Sequence, residues 1–194
     1  MKDFLWLIIS PSKSFDKIVE HPFSNKNQFL IYTVASCFVF FPKMVEAMIY
    51  KDQIITVITY LIAIPLSYIF MYPAAYVFKI VCQGFRGKIS FEEMKLIIVL
   101  SLIPLALKTI ILMPFVLLKM DISIIDHGNY FTSLIFWLLS FRILIVGIAK
   151  YNKFNWMISL FVWAISITII AGFGYIFSHF KNSYNNPLIT KTIQ

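Results

Sequence analysis

The sequence predicts an all-α, polytopic membrane protein: a bundle of five transmembrane helices preceded by an N-terminal interfacial amphipathic helix. Of its 194 residues, 60% are hydrophobic and 13% are charged, and the mean hydropathy is +0.82. Soluble domains are about 45–50% apolar and about 25% charged. The apolar residues also form five long runs, each close to the roughly 20 residues that a helix needs to cross a bilayer.

The N-terminal segment, residues 1–27, is expected to lie at the membrane interface. Its opening apolar run, residues 4–9, is too short to span a bilayer or to form the core of a cleaved signal peptide. Ser10 can cap a following helix that has Pro11 at its first position. An apolar stripe opposite charged residues is typical of a helix that lies flat on a membrane. The stripe is Phe15, Ile18 and Val19, opposite Lys13, Asp16, Lys17 and Glu20.

The transmembrane domain is predicted over residues 28–180, with a mobile tail at 181–194. The five apolar runs are residues 29–48, 54–77, 96–118, 131–149 and 156–177. A proline inside a helix leaves the carbonyl one turn earlier without its partner and bends the helix. We therefore expect kinks in the second and third spans, at Pro65, Pro73, Pro104 and Pro114.

The basic residues between the runs predict the orientation, because cytoplasmic loops are enriched in Lys and Arg. A cytoplasmic N-terminus and an external C-terminus place the larger basic group inside. The sequence thus predicts a multi-pass protein of the inner (cytoplasmic) cell membrane. The net charge of +8 is spread over these connections, so no nucleic-acid partner is expected. The inner group is Lys2, Lys13, Lys17, Lys26, Lys79, Arg86, Lys88, Lys95, Lys150 and Lys153, and the outer group is Lys43, Lys51, Lys119, Lys181 and Lys191.

Two cations, Lys108 and Arg142, fall near the middle of predicted spans. A charge at this depth costs about 2.5–3.5 kcal/mol or more unless it is paired or hydrated, so both are expected to face protein. Ser101 and Ser140 are candidate partners. These four residues form a candidate intramembrane polar site, either a polar cavity or anion path, or a structural feature of bent helices. The absence of a carboxylate at that depth in the sequence argues against a proton pump.

The connection between the second and third spans contains a helix-start signal. Ser90 and Glu93 have the spacing of a capping box, which predicts a helix from Phe91. The basic residues around it suit anionic lipid headgroups or an acidic partner, with headgroup contact the simpler interpretation. This candidate lipid- or partner-binding cytoplasmic loop consists of Arg86, Gly87, Lys88 and Lys95.

No catalytic, cofactor or metal site is predicted, and the chain is not expected to be an enzyme. The three histidines lie in scattered surface segments, which is unsuitable for a zinc site. The pair Glu92-Glu93 resembles part of a prenyl-endopeptidase site but lacks the arginine and histidine that such a site needs. Nucleophile elbows, phosphate loops and thiol pairs are also absent from the sequence.

Several short segments carry a resemblance to a known family. They are Pro11, Phe15 and Ile18 near the N-terminus, residues 87–91 followed by Pro104, and residues 137–147. In these the chain resembles the Yip family, the Ypt/Rab-interacting membrane proteins, and specifically their prokaryotic branch. It departs from the family pattern at Arg86, where the family often has a second glycine, and at Arg142, a charge within the fourth span.

The resemblance implies a non-enzymatic membrane protein that acts through other proteins or membrane shape. Eukaryotic members bind small GTPases, but the long N-terminal domain associated with that activity is missing from this sequence, so such a partner is not expected. Some bacterial relatives accompany ABC-type exporters. We therefore expect a scaffold or accessory subunit of a transport, export or envelope-stress system, surrounded by lipid and bound to another membrane protein or to itself. The alternative is a small transporter or channel with a path past Lys108 and Arg142; a membrane enzyme ranks third.

Overall fold

The computed structural model describes residues 2–20, 23–50, 54–117 and 122–184. Within these ranges every regular element is a helix, which confirms the all-α class. The helices are α1 Lys2–Ile9, α2 Pro11–Glu20, α3 Asn25–Tyr50, α4 Ile54–Gly84, α5 Phe91–Ser101, α6 Ile103–Leu117, α7 Ile122–Asn152 and α8 Trp156–Tyr184.

Among the described residues, four helical segments are long and apolar enough to cross a membrane: Ile54–Gly84, Phe91–Leu112, Tyr130–Asn152 and Trp156–Ile176. The chain is therefore a multi-pass membrane protein. The predicted first span, residues 29–48, falls inside α3, which is not among these four, and several side chains near its C-terminal end lie outside the described residues. The count of five spans thus stays a prediction.

The third predicted span is broken, with α5 ending at Ser101 and α6 beginning at Ile103. Pro104, in the first turn of α6, has no N–H to donate to the carbonyl of Leu100. The backbone tightens instead, and the N–H of Leu102 donates to the carbonyl of Val99 at 3.2 Å. The sequence predicted a kink at Pro104, and the structure has a break between two helices there, whereas the two prolines inside α4 do not interrupt that helix.

The core is centred on α5. Half of the span that contains it is buried inside the protein (50%), against 17% for each of the spans in α4 and α8. Helix α5 packs against α3, α4, α6 and α7. Its side chains therefore meet protein on most sides, while α4 and α8 present most of their surface outward. The core contains Met94, Leu96, Ile97 and Leu100 of α5, with Phe78 and Cys82 of α4, Ile143 and Ile148 of α7, and Val162 of α8.

Helix α2 covers the segment for which an interfacial amphipathic helix is predicted, and it docks onto the bundle. Phe15 is fully buried (0% exposed) and meets the ring of Tyr151 on α7 edge to face, with ring centroids 6.1 Å apart. Asp16, on the exposed side, forms an ion pair of 2.7 Å with Lys150 of α7. The predicted apolar stripe thus packs partly on protein, and a position of α2 at a membrane surface stays a prediction.

One end of the bundle, here called the basal end, gathers the starts of α3, α5 and α8, the ends of α4 and α7, and helix α2. Asn25 at the start of α3 bonds to Lys95 in α5, and Asn152 at the end of α7 bonds to Cys82 in α4. At the C-terminus, α8 continues to Tyr184, beyond the predicted domain boundary at residue 180. The rest of the predicted tail, residues 185–194, lies outside the described residues.

Candidate functional site

The connection between α4 and α5, residues 85–90, is held in place by one buried side chain, that of Asn152. Its Oδ1 accepts a hydrogen bond from the backbone N–H of Ile89 at 3.1 Å. Its Nδ2 donates to the carbonyl of Ile148 at 2.9 Å and to the Sγ of Cys82 at 3.6 Å. Asn152 therefore joins the end of α4, the connection and the end of α7 into one unit.

The helices α4 and α7 end in the same way, with a basic residue in the left-handed conformation. Arg86 has a φ of 65° and Lys153 a φ of 55°. Each lies inside a Schellman motif, in which glycine is the usual residue because a side chain costs about 1 kcal/mol there. A cation at a helix C-terminus interacts favourably with the helix dipole, which offsets part of that cost. The closing bonds run from the N–H of Gly87 to the carbonyl of Cys82 (2.8 Å) and from the N–H of Phe154 to the carbonyl of Ala149 (2.9 Å).

The predicted basic loop is only partly assembled on the surface. Arg86 and Lys88 are exposed at the basal end, and Gly87 lies between them. Gly87 is packed so closely that a Cβ there would collide with the Oδ1 of Asn152. Lys95, by contrast, is buried, with 1% of its side chain exposed. The assignment of Lys95 to a lipid- or partner-binding surface is therefore wrong.

The ammonium of Lys95 can be buried because groups from three helices surround it and bind it. Its Nζ lies 2.5 Å from the Oε2 of Glu92 and donates to the Oδ1 of Asn25 at 3.0 Å. Three aromatic rings surround the rest of the charge, an arrangement that stabilises a desolvated cation. The ring centroids lie 5.0 Å (Tyr72), 5.8 Å (Phe91) and 5.9 Å (Tyr68) from the Nζ.

The rings around Lys95 continue into an aromatic cluster that the sequence analysis missed. Tyr68 packs edge to face on Phe29 at 5.1 Å and on Tyr32 at 5.2 Å between ring centroids. The hydroxyl of Tyr32 is hydrogen-bonded to that of Ser67 at 2.8 Å. The spacing of aromatic residues by three or four along α3 and α4 was the available signal, but it is also common on lipid-facing helices. This cluster fixes the starts of α3 and α5 against the middle of α4.

The arrangement predicts that removing Lys95 costs less than removing its partner. Lys95→Met leaves Asn25 and Glu92 near solvent, so the free energy of unfolding should change by less than about 1.5 kcal/mol. Glu92→Ala leaves a buried ammonium without its carboxylate, and a loss of about 2 kcal/mol is expected because water can replace only part of that contact. Reversible denaturation in mixed micelles measures both. A larger loss of stability for Lys95→Met than for Glu92→Ala would contradict a stabilising role of the Glu92 carboxylate.

The candidate intramembrane site, Lys108 with Ser101, Ser140 and Arg142, is not brought together. Lys108 of α6 is half-buried and donates to the Oγ of Ser133 on α7 at 2.5 Å. Ser140 lies seven residues after Ser133, about two turns, and is buried on the same side of α7. Ser101 instead donates to the carbonyl of Ile98 in its own helix at 2.7 Å.

Arg142 is exposed, so the expectation that it faces the bundle interior is wrong for the chain by itself. The reason is helical geometry: Arg142 lies nine residues after Ser133, about two and a half turns, and therefore on the opposite side of α7. Because Ser133 faces Lys108 on α6, Arg142 must face away from α6. A single polar path past both Lys108 and Arg142 finds no support in this arrangement.

Four exposed side chains, the last of which is Arg142, form a stripe along α7. Successive members are four, three and four residues apart, which keeps them on one side of the helix and suits close packing with a second helix. Arg142 lies near the middle of the span Tyr130–Asn152, so the stripe covers one half of that span. Its other members are Phe131, Ile135 and Leu138, which are between 50% and 75% exposed.

The chain matches a known protein-family model. The family model described as the Yip1 domain matches residues 6–178, which include α2 to α7 and most of α8. No curated protein matches the chain, and no solved structure matches it.

Proposed function

This chain belongs to the Yip1 domain family, and from that premise we propose that it is a non-enzymatic scaffold or accessory subunit of a membrane transport, export or envelope-stress system. It resides in the cytoplasmic membrane with its basal end and N-terminus in the cytoplasm and its C-terminus outside. The basic residues concentrated at the basal end support this orientation. Its activity consists of binding another membrane protein within the bilayer.

The observation that carries this proposal is the exposure of Arg142 at mid-span. An arginine keeps its charge under all physiological conditions and costs at least about 2.5–3.5 kcal/mol when it faces lipid at the bilayer centre. The end of the span at Asn152 is ten residues away, about 15 Å along the helix, which is further than the side chain extends. A polar group from outside the chain, set against the exposed stripe of α7, removes this cost.

The chemistry of the partner follows from the distribution of carboxylates. The sequence contains nine acidic residues; none follows Asp126, and none lies within the four candidate spans beyond the first turn of α5. A second copy of this chain therefore cannot supply a carboxylate at the depth of Arg142. We propose a different membrane protein, such as a subunit of an ABC-type exporter, with an acidic or strongly polar residue at the middle of one helix.

Site-specific crosslinking tests the proposal. A photoreactive residue at Leu138, expressed at native level, should give one dominant product with a second membrane protein, because Leu138 lies one turn from Arg142 on the exposed stripe. Arg142→Leu should lower its yield at least about 30-fold, since a buried polar group of the partner then loses its pair. Lys17→Leu is the control, because it removes an exposed cation that lies outside the candidate spans and outside the loop at residues 85–90, and it should leave the yield unchanged.

Two outcomes would overturn this proposal. The first is a yield for Arg142→Leu equal to that of the control, which would show that the arginine has no partner. The second is a product with the mass of a homodimer alone, which would identify a second copy as the occupant of the stripe.

A further inference from the structure

A groove at the basal end continues the exposed face of α7 one turn beyond Arg142 and lies apart from the aromatic cluster around Lys95. It has a volume of about 440 Å³ and is formed by the start of α2, the last turns of α7 and the start of α8. Its rim carries Ser12, Lys150 and Lys153, and its inner walls include Val146 and Ala149. Two ammonium groups therefore stand at the mouth of a mainly apolar cleft.

The charge at the rim is net positive. The exposed carboxylate of Asp16 pairs with Lys150 at 2.7 Å, but both side chains are well exposed, at 56% and 37%. Such surface ion pairs contribute little, with a median of about 0–1 kcal/mol, and readily accept a second partner. Lys153, which also lines the groove, is exposed. The two lysines therefore attract an anion placed between them more strongly than the carboxylate of Asp16 repels it.

The apolar walls set the depth of the groove in the membrane. Val146 and Ala149 belong to the last turns of the span in α7, and Trp156 opens the span in α8 with 61% of its surface exposed. Tryptophan is enriched at the level of the lipid headgroups, where its ring meets both apolar and polar surroundings. The cationic mouth thus lies at headgroup level, and the apolar walls point toward the hydrocarbon.

The backbone adds a second observation at the same place. Lys153 holds a φ of 55°, at which glycine avoids the strain that a side chain incurs. Such strain is concentrated at functional sites, and here the left-handed turn places a lysine on the rim.

We propose that this groove binds one anionic phospholipid of the surrounding leaflet. Its phosphate lies between the ammonium groups of Lys150 and Lys153, with the hydroxyl of Ser12 as a further donor. The first part of an acyl chain lies along Val146 and Ala149. Charge complementarity at the mouth and an apolar lining behind it are the two features that a phospholipid requires and that a soluble anion does not use together.

Native mass spectrometry of the full chain in detergent tests the inference. One molecule of phosphatidylglycerol should be retained in preference to phosphatidylcholine, which carries no net charge. The double variant Lys150→Gln, Lys153→Gln should bind phosphatidylglycerol about 30-fold more weakly, because each lysine near a membrane surface contributes about fivefold. Lys13→Gln, Lys17→Gln is the matched control, since it removes two exposed charges from α2 outside the groove lining and should bind like the wild type.

Two further variants distinguish lipid binding in the groove from general electrostatic attraction to the protein. Asp16→Asn should strengthen phosphatidylglycerol binding because the competing carboxylate is gone. Ala149→Phe keeps both lysines but fills the cleft, so it should weaken lipid binding while the protein elutes like the wild type. Equal loss in the control and groove variants would overturn the inference, as would displacement of the lipid by millimolar inorganic phosphate, which would make the site one for free phosphate.

Discussion

Replacement of Asn152 by leucine is expected to lower the free energy of unfolding by about 3 kcal/mol. The leucine fills a similar volume but leaves the buried N–H of Ile89 without an acceptor, which costs about 1–3 kcal/mol. The bond to the carbonyl of Ile148 is lost as well, at about 1 kcal/mol. Because Asn152 joins the end of α4 to the end of α7, the effect should extend to the whole connection at residues 85–90.

Two measurements check this expectation. Reversible denaturation in mixed micelles gives the loss of stability, and limited trypsin digestion reports on the connection, because Arg86 and Lys88 are exposed cleavage points within it. Cleavage there should become faster in Asn152→Leu. Asn155→Leu is the matched control: Asn155 is exposed in the same turn, and its side chain accepts a long bond, 3.4 Å, from the N–H of Met157. Equal losses for the two variants would show that Asn152 does not anchor the connection.

Features set by local chemistry were predicted correctly from the sequence. The capping box is present, with the N–H of Ser90 donating to the Oε2 of Glu93 at 2.6 Å and the N–H of Glu93 donating to the Oγ of Ser90 at 3.3 Å. Helix α5 accordingly begins at Phe91. The sequence also placed a kink at Pro104, where the structure has a break between α5 and α6, since a missing N–H acts within one turn regardless of the neighbouring helices.

Features that depend on which helices become neighbours were not predicted. The spacing of Ser133 and Arg142 already places them on opposite sides of a helix, but it does not say which side meets α6. Lys95 was assigned to a basic surface by its proximity in sequence to Arg86 and Lys88. The rings and Asn25 that enclose it come from α3, α4 and the start of α5, and Asn25 lies 70 residues before Lys95 in the sequence. Only the packing of these helices makes burial of the ammonium favourable.

Asn152 illustrates a residue that sequence reasoning overlooked entirely. A single asparagine at the end of a predicted span is common where a helix stops, and its type alone indicates only a turn. Its role arises because the N–H of Ile89, 63 residues away, approaches its side chain. The close contact at Gly87 follows from the same approach, since a side chain there would collide with Asn152. A contact between residues so far apart in the chain cannot be inferred from the spacing of residues in a single sequence.

The largest loss of stability, about 3–5 kcal/mol, is expected for Phe15→Ala, the usual range for a buried phenylalanine. Phe15 is fully enclosed, and its ring lies against Tyr151 and close to Gly147, where a Cβ would stand 2.9 Å from the Cζ of Phe15. The glycine thus makes the recess that the ring fills. Helix α2 has only 10 residues, too few to be stable by itself in water, so its order depends on this contact.

The same variant connects the docking of α2 with the proposed lipid groove. If α2 detaches, Ser12 leaves the rim and Lys150 loses Asp16, so phosphatidylglycerol binding should weaken although both lysines remain. A cysteine introduced as Ser14→Cys, at a buried position on α2, should react slowly with a polar maleimide in the parent protein and quickly in Phe15→Ala. Val19→Ala provides the control, because Val19 lies on the same helix with half of its surface exposed (50%). If the cysteine at position 14 reacts equally in Phe15→Ala and in Val19→Ala, lipid rather than the recess at Gly147 holds α2 against the bundle.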